Sequence, residues 1–187
     1  MTNLQARTVT LRRRRLHIKH PHLSNYEAPY FNPLEFISDD LDLVGAFTQA
    51  VTIARNADRS GVSWDDSCNF PHINILAGAF LLTKWVARVE ADPGLANALM
   101  VGQILNLPNL TTRLIGNRNR LPTWIYNEFL AVTTSQTDNK SAILLTCIKM
   151  LAPIVITQLK LVTLSIEYSK KVVKYNEILD RLLPSKY

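Results

Sequence analysis

A chain of 187 residues in which 47% of side chains are apolar can bury a core of ordinary size, which excludes disorder throughout. Only 19% of residues are charged, less than the usual quarter, so apolar surface is left over to meet a partner or lipid. The net charge of +6 is split between two basic ends around an acidic middle: residues 1–20 carry six basic side chains and no acid, residues 28–139 seven against eleven acids, and residues 140–187 eight against three.

The leader holds Arg7, Arg12, Arg13, Arg14, Arg15 and Lys19. Like charges repel, so this arm is expected to stay solvated and disordered and to be drawn to phosphate on RNA, DNA or a lipid headgroup. Four adjacent guanidiniums fork onto several phosphates without reading sequence, and no aromatic side chain lies among them to stack on bases. His17, His20 and His22 can be combined on paper with Cys68 and His72 into a zinc site. Their spacing around Pro21 matches no standard finger, and the neighbouring arginines repel a cation, so no metal or other cofactor is assigned. The histidines instead extend the basic tract as pH falls below their normal titration near 6.5. No apolar segment of the secretory kind follows the arginines. The arm is Arg-rich and acid-poor like a transit peptide, but Ser is scarce and its apolar moment weak.

Residues 21–33 are rich in Pro, Asn, Tyr and His and read as a linker, giving an arm and linker over 1–33 and a single helical domain over 34–187. The body opens with Leu41, Val44, Phe47, Val51 and Ala54 at helical spacing, Ser38 to Asp40 offering N-cap oxygens and Arg55 and Arg59 near the end. A loop, "SGVSWDDSCNFPH", leads into "INILAGAFLLTKWVARVEA", a helix that is apolar almost all round. Asp92 as cap and Pro93 in the first helical position predict a third helix, "DPGLANALMVGQILNL", packed on the second as an antiparallel hairpin. A short helix at 109–115 falls in the basic break "TTRLIGNRNRLPT", which carries Arg118 and Arg120. Thr123 caps "WIYNEFLAVTT", and the long apolar run from Ser141 is expected to kink or split at Pro153. It ends in a basic amphipathic tail with Lys170, Lys171 and Lys174. There is no internal repeat and no strand-like alternation, so the fold class is all-α, a bundle of about six or seven helices.

Two segments approach the requirements of a membrane span. Ser141 to Leu159 has the length but carries Lys149 and a proline, and Ile73 to Val89 is shorter and carries Lys84. A central lysine costs roughly 2.5–3.5 kcal/mol on the insertion scale, about what six leucine-like residues return, so the balance is near zero. Trp64, Trp85, Trp124, Tyr26, Tyr30, Tyr126 and Tyr168 flank these segments and suit either a membrane interface or the rim of a core. The paired acids of "SDDLD" and "WDDS" sit where helix caps and polar loops belong. No GxSxG, GxxxxGK[ST], GxGxxG or HExxH motif occurs, so an enzyme is not expected. The two cysteines, Cys68 and Cys147, form no CxxC pair, which points to a reducing compartment.

The arginine-bearing arm, the opening "FNPLEFI" and four moderately apolar segments with a "DPG" turn between the first two resemble the small virion membrane proteins of negeviruses and kitaviruses, over roughly residues 30–168. Lys84, Lys149 and Lys160 interrupt segments that are cleaner in that family. The resemblance implies a multi-span structural component of the particle whose charged arm faces inward or toward the cytoplasm. The expectation is therefore a non-enzymatic, membrane-associated viral structural protein located in the virion and at host intracellular membranes. Its partners would be membrane lipids, genomic RNA, and further copies of itself or other virion proteins. The alternative is an all-α coat or nucleocapsid subunit that packages RNA in a cytoplasmic ribonucleoprotein.

Overall fold

The computed structural model describes residues 31–57, 71–127, 140–160 and 165–185. Among the described residues every regular element is helical and no strand occurs, as the periodicity predicts. The α-helices are α1 (Leu43–Ala57), α2 (Pro71–Val89), α3 (Ala98–Leu105), α4 (Leu110–Gly116), α5 (described over 123–127), α6 (Lys140–Lys160) and α7 (Ser165–Leu182). Two short 3-10 turns, Pro33–Phe36 and Pro93–Leu95, precede α1 and α3.

The opening "FNP" is an anchor. Asn32 Oδ1 accepts from the Leu34 amide at 3.3 Å, capping the first 3-10 turn, while Nδ2 donates to the Ala96 carbonyl at 2.8 Å, 64 residues away. The first helix begins later than the sequence pattern places it. Its cap is Asp42 rather than Ser38 to Asp40: one carboxylate oxygen accepts from the Gly45 amide at 2.8 Å and the other from the Ser38 amide at 2.9 Å. Asp40 is spent elsewhere, buried and gripped by both forks of Arg88 at 2.9 and 2.8 Å.

Helix α2 is the centre of the bundle. Ile73, Ile75 through Thr83, and Trp85 through Ala87 are all buried, because α1, α3, α6 and the second 3-10 turn pack around it. A helix that is apolar on every side needs apolar surroundings on every side, and here the chain supplies them. Of the two roles the sequence leaves open for Ile73 to Val89, a core helix or a marginal span, the structure shows the core helix, with Trp85 buried in the core. Among the described residues no helix is long and apolar enough to cross a membrane. The ends of the other window, at 141, 142 and 159, have side chains outside the described set.

Two further expectations change. The "DPG" segment does not open one long helix: Asp92 caps only the 3-10 turn, accepting from the Gly94 amide at 3.0 Å, and the chain restarts at Asn97, whose Oδ1 accepts from the Met100 amide. Helix α3 does pack on α2, and α1 packs on α2 as well. Pro153 does not divide α6. Proline leaves the carbonyl of Lys149 without its helical donor, and both residues lie on the exposed side of the helix.

Candidate functional site

The leader residues Arg7, Arg12, Arg13, Arg14, Arg15 and Lys19 lie outside the described residues, as do His17, His20, His22 and Cys68 and the "WDDS" loop. The structure places the remaining sequence-selected cations along one helix, α7, and at its C-terminal end. Arg120 donates to the Leu182 carbonyl at 3.2 Å, which brings the "NRNR" segment against the last turn of α7 and leaves Arg118 exposed beside it. A cation at that end also suits the negative pole of the helix. Lys170 and Lys174, four residues apart, share the exposed side of the helix. Lys174 approaches Asp92 at 3.5 Å, but both side chains are largely exposed, so salt screens the pair and the lysine stays available.

Lys171 does something different. It is exposed too, but it stands one turn before the buried Tyr175 and lines a cleft of about 720 Å³. One wall carries Glu35, Asp39 and Asp40 from the N-terminal turn. Lys84, Ala87 and Arg88 enter from α2, Asn97 and Leu99 from α3 and its cap, Gln158 from α6, and Lys171 and Tyr175 from α7. Lys84, whose charge is costly in a bilayer, is thus accounted for: its apolar stem lies along the core helix and it borders the cleft, where its charge helps lower the pKa of Asp42 behind the stronger effect of the Ser38 and Gly45 amides.

Asn97 organises the floor. Its Nδ2 donates to the Gly94 carbonyl at 2.7 Å and to the Tyr175 hydroxyl oxygen at 2.9 Å, joining the cap of α3 to α7. Tyr175 is buried, and desolvation raises its pKa, so the hydroxyl keeps its proton. Gln158 is only 8% exposed, and its Nε2 finds no hydrogen-bond partner among the described residues. A buried amide left so costs about 1–3 kcal/mol.

Sequence reasoning missed Arg113. It is 7% exposed and all its duties are internal: Nε donates to the Pro108 carbonyl at 2.8 Å, and Nη1 to Asp180 at 2.7 Å and the Leu183 carbonyl at 2.8 Å. Its place in "TTRLIG", between apolar residues at 110 and 114, was the available signal. No group of three or more His, Cys, Asp or Glu side chains suited to a metal ion occurs among the described residues. Cys147 is buried, and desolvation pushes its thiol up to about 12, so it is not a nucleophile at neutral pH.

No family model, curated protein or solved structure matches the chain.

Proposed function

We propose that the chain is a non-enzymatic structural protein of a virus particle that packages RNA, with the leader gripping the phosphate backbone and the helical body supplying assembly. The observation that carries this reading is the fate of the charged, apolar segments. Ile73 to Val89 spends its apolar surface on its own bundle, while Lys170, Lys174 and Arg118 remain exposed on or beside α7. Together with the six cations of residues 1–20, these supply phosphate contacts that need no base recognition. The resemblance in layout to small virion membrane proteins supports the particle setting.

The test is to bind the full-length chain and a variant lacking residues 1–20 to unrelated single-stranded RNAs across a salt series. Removing six cations should lower the slope of log affinity against log salt by about four and weaken every RNA alike. Loss confined to one sequence would contradict backbone recognition.

A second reading, attachment to a membrane surface, draws on α6. Leu145 and Ile156 are half-exposed and lie with Lys149 and Pro153 along one outward stripe, apolar with a central cation. Flotation with anionic vesicles that persists at high salt would favour it over RNA packaging. Release by salt alone would favour RNA.

A further inference from the structure

We propose that the cleft between the N-terminal turn, α2 and α7 is a binding site for a small phosphate monoester that also carries hydrogen-bond donors. The inference does not depend on what the leader binds. Its volume of about 720 Å³ suits a metabolite-sized molecule, and its surfaces combine apolar patches from Leu34, Ala87 and Leu99 with polar groups from α2, α6 and α7 and from the segments before α1 and α3.

The polar groups point to the ligand's chemistry. Gln158 is more than nine-tenths buried, lines the cleft and has an amide nitrogen with no partner among the described residues. Lys84 and Lys171 line the same cleft, and neither has a carboxylate within ion-pair distance among the described residues. The Tyr175 hydroxyl accepts from Asn97 and retains its own proton for donation. Two ammoniums and two neutral donors match a group with three acceptor oxygens and a charge approaching −2, which describes a phosphate monoester better than a carboxylate. Arg88 is already committed to Asp40 and is not counted. Glu35 and Asp39, on the other wall, oppose a second anion and accept from hydroxyl or amine groups on the remainder of the molecule.

Lys171 and Lys170 are neighbours on one helix, but only Lys171 lines the cleft, so the pair supplies its own control. The experiment follows the Gln158 side-chain amide by NMR while ribose 5-phosphate, inorganic phosphate or ribose is added to the full-length protein at moderate salt. Ribose 5-phosphate should shift that resonance saturably, inorganic phosphate more weakly, and ribose not at all. Lys171→Gln should weaken the binding about tenfold, while Lys170→Gln changes it less than twofold. Gln158→Leu, which replaces an unmatched amide by an apolar group, should fold at least as stably and lose the binding, read by calorimetry. Equal losses from Lys170→Gln and Lys171→Gln would assign the effect to general charge and overturn the site. So would full binding by Gln158→Leu, or no shift of the amide up to millimolar ligand.

Discussion

Arg113 and Asp180, 67 residues apart in sequence, are joined at 2.7 Å, with the arginine buried and the aspartate largely exposed. The asymmetry fixes which partner matters. Arg113 also satisfies the carbonyls of Pro108 and Leu183, so it ties α4 and the turn before it to the end of α7. Arg113→Met should destabilise the fold by about 2–4 kcal/mol, because it leaves two carbonyls unmatched. Asp180→Asn removes only a water-screened charge and should cost about 1 kcal/mol or less. Urea denaturation of the two variants gives the comparison, and equal losses would show that the ion pair, not the carbonyl contacts, carries the stability.

Helix α2 ends in a pair of bonds, Asp92 amide to Ala87 carbonyl and Ala91 amide to Arg88 carbonyl, with Ala91 at φ 51°. This is the Schellman arrangement with an alanine where glycine is usual. Ala91→Gly should therefore stabilise the protein by about 1 kcal/mol, raising its thermal midpoint, since it relieves the clash of a Cβ in the left-handed region. An unchanged or lowered midpoint would contradict this.

Asp42 caps α1, and the Ser38 and Gly45 amides, the largest influences, hold its pKa below the ordinary 3.8. The unfolded chain binds this proton more readily, so the contribution is complete above the unfolded value and is lost as pH falls through the folded one. Asp42→Asn, which keeps a capping oxygen, should flatten the decline of stability in acid, and Asp42→Ala should cost about 1 kcal/mol at neutral pH. Gly45→Ala should not give the gain of about 1 kcal/mol usual in a helix. A Cβ there would lie 2.4 Å from the Asp42 carboxylate.

Cys147 is enclosed, and its Sγ lies 3.4 Å from the His72 carbonyl. In a Cys68→Ser background, a thiol reagent at pH 8 should leave the native protein unlabelled and react promptly once denaturant is added. Labelling under native conditions would show that α6 opens readily.

His72 is about half-buried, and desolvation lowers its pKa from 6.5. The unfolded chain therefore takes up this proton first as pH drops, and stability should decline from about pH 6.5 downward until the folded histidine titrates. Replacing His72 with asparagine should remove that part of the slope, as chemical denaturation at a series of pH values would reveal.

Much of the architecture was legible because helix formation is local. Apolar spacing located α1, α2, α6 and α7, the Asn-Pro opening and the Asp-Pro turn were recognisable, and the short helix near 110 fell in its basic break. The site was legible only as a set of cations. Which ones are committed to the fold depends on partners far along the chain: Arg120 on Leu182, Arg88 on Asp40, and Arg113 on Asp180, 62, 48 and 67 residues apart. Likewise nothing near Gln158 in sequence reveals that it borders a cleft with Lys84 and Tyr175. By itself the sequence determined an all-helical body and two basic ends, since backbone periodicity and charge are properties of neighbouring residues. Tertiary structure alone decided that Ile73 to Val89 is wrapped by protein, because burial is a relation between elements and the same apolar surface suits either a bundle or a bilayer.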